Sequence, residues 1–347
     1  MLRIATFNVE LERDGPGLLL RDIRQGDDPQ IAAVIRVIKH VNPDILLLNS
    51  FDYDFGSAAL KAFLERLRSV GVDYTNWFSR APNTGLSIAA DLDRDGRWGE
   101  PEDAQGFGGF AGQGGMALLS KFPIDDGSAL DFAPVIWNDL SYASLPSENG
   151  VPFYSENILT KLRLSSVGHW DVPMIMPNGT RLHVLAYHAS TPAFDGPEAR
   201  NDLRNRDELR FWIDYLDDVH NPFVLIGDSN LDPFDGDGLR RTMQTILADP
   251  RIQDPKPRSR GAAEAAIVQG GVNADQHGDP SLDTVDWPDE SGWPGNLRVD
   301  YVLPSAELRI SGSGVFWPAS NDPLRAIFGV NDDRASRHAL VWVDIEW

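Results

Sequence analysis

Cysteine is missing altogether from this 347-residue chain, which removes disulfides, thiolate nucleophiles and thiolate metal sites. No apolar stretch reaches the length a membrane helix needs, so no membrane partner is expected. No run of Lys and Arg with interleaved aromatics appears, and 31 basic residues face 52 acidic ones, a net charge of -21. A surface of that sign repels nucleic-acid backbones and anionic membranes unless a basic patch or a bound metal intervenes. A general nuclease is therefore disfavoured and is kept as the second alternative. Internal repeats and repetitive linkers are also lacking, which points to one domain over residues 1–347. Met1 abuts the first apolar run with no leader between. The chain then reads either as cytoplasmic or as a mature exported protein; the extracytoplasmic reading (periplasmic or secreted) is preferred for the calcium motif described below.

What is present is ample apolar material, 42% of residues with ten Trp, arranged in short runs that end in polar groups. Residues 222–230 are the most informative: an apolar run stops at Gly227 and delivers Asp228 and Asn230. Residues 2–8 finish on Asn8, 43–50 lead into Asp52 and Asp54, and 181–188 end on His188. Residues 297–303 carry Asp300 in mid-run, where an isolated buried charge would be costly and a His partner would orient the ring and raise its basicity. His338 stands just before the last run, 339–345. Asn, His and Asp side chains at strand ends suit metal-assisted attack of water on phosphorus.

Between these runs the pattern predicts helices over 29–40, 57–70, 198–220 and 239–247, and strands over 116–120, 159–164 and 170–176. Asn178-Gly179 signals a hairpin, and Pro173 an edge or bulge. Residues 11–28 and 249–297 read as long loops. Alternating strands and helices with hairpins give an α/β (α+β) chain, two mixed β-sheets face to face with helices outside.

In order and spacing these residues resemble the endonuclease/exonuclease/phosphatase superfamily, the deoxyribonuclease-like fold, from Asn8 to His338. The resemblance implies a four-layer sandwich and a metal-dependent phosphoesterase acting on a phosphodiester or phosphomonoester, with a small or extracellular substrate favoured over DNA. It implies that His338 with Asp300 is an acid/base pair, that Asp228 and Asn230 hold water and phosphate, and that His188 stabilises the phosphoryl oxygens. A divalent cation (Mg2+ or Mn2+, with Ca2+ as the alternative) is then expected near Asn8 and Asp228. The sequence departs from the family at three places: Ser50 stands where a metal-binding Glu is usual, Arg337 where an Asp precedes the terminal His, and Gly114 where a Tyr is common. Asp52 or Asp54 is the expected substitute ligand, against the plainer reading of helix-cap residues. Arg163 and Arg337 are candidate phosphate grips. A cation beside His338 is also expected to depress the imidazole's pKa. The alternative class is a catalytically degenerate member that binds a phosphorylated ligand or a protein.

A separate motif runs from Asp91 to Glu102. Acids at positions 1, 3, 5 and 12 and Gly at 6 match the twelve-residue calcium loop. Asp91, Asp93, Asp95, the Arg97 carbonyl and Glu102 are the expected Ca2+ ligands, within an insertion at about 79–115 that the ion would order.

Overall fold

Every residue of the strands Ile45–Phe51 and Phe223–Asp228 is buried, which a strand achieves only when both of its faces are covered. The computed structural model, which describes residues 1–329 and 334–347, shows what covers them. One sheet has six strands in the order Arg309–Phe316, Leu340–Glu346, Leu2–Leu11, Ile45–Phe51, Gly115–Ser120 and Asn76–Phe78. The other has five, in the order Asp300–Pro304, Phe223–Asp228, Arg181–His188, Gly168–Ile175 and Leu130–Asp131. Each is built round one parallel pair, Leu2–Leu11 with Ile45–Phe51 and Arg181–His188 with Phe223–Asp228. The remaining pairings are antiparallel.

Alternation of side chains assigns the faces. In the five-stranded sheet Val184, Ala186, Val224, Ile226 and Val302 join the core formed with Ile4, Leu46 and Leu118 of the six-stranded sheet. Their neighbours Leu185, Tyr187, Leu225, Tyr301 and Leu303 turn the other way, onto Leu209 and Trp212 of the helix Arg200–Tyr215. The outer face of the six-stranded sheet is covered by apolar residues of the helices Pro29–Val41 and Ala58–Ser69. The result is the expected four-layer sandwich of two mixed sheets flanked by helices. The Asp28 side chain caps the helix Pro29–Val41 by accepting from the Ile31 amide at 2.8 Å, with Pro29 at its first position. No described helix is long and apolar enough to cross a membrane.

Three expectations are corrected. Residues 159–164 are not a strand: Ser155 caps a one-turn helix, Glu156–Leu159, and a single bridge, Ile136 to Arg163, follows it. Leu162 and Leu164 are apolar for a different reason, a satellite core with Trp137 and Phe153. The loop 11–28 contains the helix Leu18–Gln25, between Gly17 and Gly26 in left-handed conformations, with Leu19 and Ile23 buried. The loop 249–297 contains the helix Arg260–Gln269, capped by Ser259, whose packed face is Gly261, Ala262 and Ala266 and so lacks the bulky periodicity that betrays a helix. The strand Arg309–Phe316 escapes notice for a related reason. Its glycines make room for Trp342, whose Cζ2 would lie 2.9 Å from a Cβ on Gly314.

Gly227 pairs with Tyr187 on the neighbouring parallel strand Arg181–His188. A Cβ there would sit 2.0 Å from the carbonyl oxygen of Tyr187. Gly227→Ala is expected to lower unfolding stability by at least about 2 kcal/mol, because strand backbone rather than a flexible side chain has to yield. Urea unfolding midpoints of the two proteins check this; equal midpoints would refute it.

Candidate active site

Register brings the polar strand ends together. Asp228 lies opposite Asp300 in the antiparallel ladder and opposite His188 in the parallel one. Asn8 reaches across from the other sheet, its Nδ2 donating to Asp228 Oδ2 at 2.8 Å. His338, just ahead of the last strand, donates from Nδ1 to Asp300 Oδ2 at 2.8 Å, and its Nε2 faces Asn8 at 3.5 Å. His188 Nε2 stands 3.7 Å from Asp228 Oδ2. Asn230, in a left-handed turn, donates its main-chain amide to Asp228 Oδ1 at 2.8 Å and its side-chain amide to Ala189 O at 3.0 Å. None of these six residues is more than 9% exposed. Asn8, His188, Asp228, Asn230, Asp300 and His338 thus form one site spanning both sheets.

The region from residue 5 to residue 338 matches the model of the endonuclease/exonuclease/phosphatase family. The chain belongs to that family. Solved structures carry the same fold. An endonuclease/exonuclease/phosphatase from Beutenbergia cavernae is 21% identical, with 99% of this chain and 71% of that one covered and a TM-score of 0.56. A family protein from Leptotrichia buccalis is 15% identical over 100% of both chains, with a TM-score of 0.52. The human Nocturnin catalytic domain, solved with a sulfate anion, is 14% identical over 99% of this chain and 93% of that one, at 0.50. No curated protein matches the sequence.

Electrostatics separate the two histidines of this family member. Burial alone would push the His338 imidazole down, but the charge and hydrogen bond of Asp300, with the charges of Asp228 and Glu10, raise it to about 9. The expectation that Arg337 would depress it is corrected. The guanidinium is taken up by Glu10, with Nε to Oε1 at 2.7 Å and Nη2 to Oε1 at 2.5 Å. His188 goes the other way, lowered by burial despite Asp228. Asp228 is raised, by burial first and then by Asp300. His338 is therefore the more basic of the two rings and His188 the less.

Whether the site suits the divalent cation usual in the family is decided by its donors. Asp228, Asp300 and His338 offer ligand atoms all within 4.8 Å of one another. Among the described residues Asp300 Oδ1 is buried with no partner, and so are both polar atoms of Asn49, the register partner of Asn8. Hard oxygen donors with an orphaned carboxylate oxygen fit such an ion. The proposed substitute ligands do not join that group. Asp54 is a helix cap: its carboxylate accepts from the Ala58 and Ala59 amides, the latter at 2.7 Å. Asp52 holds two loops together, accepting from Gly114 N at 2.9 Å and Arg13 N at 3.0 Å, and burial raises its pKa to about 6. Arg163 donates from Nη1 to Asn83 Oδ1 at 2.7 Å, a structural contact between loops.

In the Asp91 loop the carboxylates of Asp91, Asp93 and Asp95 do converge within 4.8 Å. Gly96 takes the left-handed turn (φ 87), and Arg97 donates its amide to Asp95 Oδ1 at 2.7 Å. Glu102 lies outside that group. The chain makes a 3-10 turn over Pro101–Asp103, and Asp103 turns inward instead, accepting from Leu92 N at 2.7 Å and Gly99 N at 2.8 Å.

Three residues of the site had no signal in the pattern of strand ends. Glu10 enters through a bulge: Asn8 pairs with Asn49, but the next pair is Leu11 with Phe51, so the first strand carries one extra residue. Thr284 donates to Asp300 Oδ2 at 2.8 Å, and the Trp287 ring meets His338 edge-on at 5.8 Å. Both come from the segment 283–297, whose short ladder Val285–Asp286 with Asn296–Leu297 cannot be told from loop by composition.

Two outcomes follow from these placements. Asp54→Ala is expected to cost about 1 kcal/mol of stability, as loss of a helix cap does, and to leave metal affinity unchanged; thermal melts and Mn2+ titration check both. Asp283, beside Thr284, has a buried Oδ2 without a partner among the described residues and is raised to about 8 by burial and by Asp232, Asp235 and Asp279. A raised carboxyl binds its proton more tightly folded than unfolded, so its stabilising contribution fades as pH climbs from about 4 to about 8. Asp283→Asn is expected to melt higher than the parent at pH 8.5 and to match it at pH 4; equal gains at both pH values would refute this.

Proposed function

We propose that this chain is a metal-assisted phosphoester hydrolase acting on a small phosphate ester. The observation that carries the reading is the buried pair of His338 and Asp300, joined at 2.8 Å, beside the Asp228 carboxylate that Asn8 also holds. A divalent cation held by Asp228 and Asp300 with Asn8 would supply Lewis-acid polarisation of a phosphoryl oxygen. Asp228 accepts a proton from water in line with the phosphorus, and Asn8 and the Asn230 amide fix the direction of its carboxylate. His188, neutral, donates to a non-bridging oxygen as charge builds there. His338, its basicity raised by Asp300, protonates the leaving oxygen, and Asp300 holds the ring in the orientation that transfer needs.

The degenerate-binder reading is weaker, because the buried Asp228 and Asp300 carboxylates would repel a bound phosphate unless a cation or a reacting water stood between them. The nuclease reading is opposed by the acidic surface.

The test is hydrolysis of p-nitrophenyl phosphate and bis(p-nitrophenyl) phosphate with Mg2+, Mn2+ or Ca2+ added, and with chelator. His338→Ala is expected to lower kcat by about 100-fold or more, the usual worth of a positioned proton donor. Undiminished turnover in that variant would end the assignment.

A further inference from the structure

Glu10 takes no part in the steps above, yet it is the most constrained acidic residue at the site. It sits at the bulge in left-handed backbone (φ 47), a conformation that a side chain as long as glutamate rarely adopts. Its side chain is 14% exposed. One oxygen, Oε2, accepts from the Arg337 amide at 2.7 Å and from Ser336 Oγ at 2.9 Å. The other, Oε1, accepts from Arg337 Nε at 2.7 Å and Nη2 at 2.5 Å. Ser336 Oγ in turn accepts from the His338 amide at 3.1 Å. A single carboxylate thus ties down the three consecutive residues that end in His338.

The guanidinium is left in a definite state. Its Nε edge is filled by Glu10, whereas Nη1 makes no hydrogen bond to the described residues, and the side chain is 54% exposed. An arginine held by one edge presents the other as a rigid pair of donors, matched to two oxygens of one phosphate. It stands one residue from His338.

We propose that Glu10 and Arg337 form a preset clamp that makes this site selective for phosphomonoesters. The proposal rests on the phosphoester reading given above. A monoester phosphate has three non-bridging oxygens: the cation and His188 can share one, and two remain for the free edge of Arg337. A diester has only two, so a second ester group stands where the clamp needs an oxygen. The monoester also carries one more negative charge at neutral pH, which the guanidinium meets. Arg337 is the binding residue; Glu10 is a positioning residue that sets Arg337 and, through its charge and Ser336, also bears on His338 whichever ester is bound. A salt bridge serving only solubility would gain nothing from burying its carboxylate in strained backbone.

Hydrolysis of p-nitrophenyl phosphate and bis(p-nitrophenyl) phosphate by the parent, Arg337→Ala, Glu10→Ala, Glu10→Gln and the Glu10→Ala/Arg337→Ala double variant tests it, with inorganic phosphate affinity measured calorimetrically alongside. The parent is expected to favour the monoester. Each alanine variant should reduce the monoester-to-diester ratio of kcat/KM at least tenfold, mainly through KM. In that ratio the double variant should be no worse than Arg337→Ala, and Glu10→Gln, which keeps an acceptor, should fall between parent and Glu10→Ala. A parent that prefers the diester, equal losses on both esters, or multiplying effects in the double variant would overturn the clamp. If no ester is cleaved with any metal, the phosphoester reading falls separately. The clamp is then judged by phosphate binding alone, and an unchanged Kd in Arg337→Ala overturns it. Melting curves by circular dichroism, with Glu10→Gln as the milder variant, separate lost folding from lost clamping.

Discussion

Two carboxylates, Asp228 and Asp300, stand opposite each other in one ladder with essentially no exposure to water. Buried like charges of that kind cost several kcal/mol each unless they are neutralised and hydrogen-bonded. The rest of the site is the set of groups that makes them tolerable: Asn8 and the Asn230 amide on Asp228, Thr284 on Asp300, and a charged His338 between the two. These groups come from both sheets and from the segment 283–297. Neither the facing of the sheets nor the course of that segment can drift without stranding a charge. The same constraint explains why His338 is basic despite burial. The carboxylates that need its proton are the ones that hold it.

Much of this was legible because apolar runs and their polar ends are local features. A buried strand must read as apolar, and a functional side chain at its rim must follow at once, so Asn8, His188, Asp228 and Asn230 could be picked from single runs. Asp300 was legible by the opposite signal, a charge inside an apolar run, which asks for a partner. Register supplied the rest: that Asp228 faces both His188 and Asp300 is a property of pairing, and pairing is not written in any one segment.

Where side chains stand elsewhere than expected, the physical causes are of the same kind. Asp54 carries the composition of a ligand and the position of a cap, and the amide donors of the next helix decided between them. Glu102 has the spacing of a bidentate calcium ligand, but a proline opens a tight turn there and Asp103 takes the inward place. Leu159 to Leu164 alternate like a strand, yet no neighbouring strand offers them a ladder, and their leucines fill a side cluster instead. Arg337 was expected to act on its sequence neighbour. A charge acts through space, however, and the nearest opposite charge, from the far end of the chain, reached it first.

That last exchange bears on how the site departs from its family. The resemblance puts a glutamate where Ser50 stands and an aspartate where Arg337 stands, so two carboxylates have gone and a cation has come in. Ser50 and Glu10 occupy the same irregularity: both have left-handed backbone, at φ 53 and φ 47, on neighbouring parallel strands where the register slips. The extra residue of that bulge brings one carboxylate back from the first strand and sets it against the new cation. Glu10 is held below the usual carboxylate range: burial raises it, but His338 and Arg337 together outweigh burial. The carboxylate at this irregularity therefore stands on the first strand, not at the Ser50 position that the resemblance implies for metal, and its partner is a guanidinium. A site in decay would lose its charges singly and leave their partners unpaired. Here the cation at position 337 meets the carboxylate of Glu10, so the charge brought in beside His338 is neutralised rather than left alone.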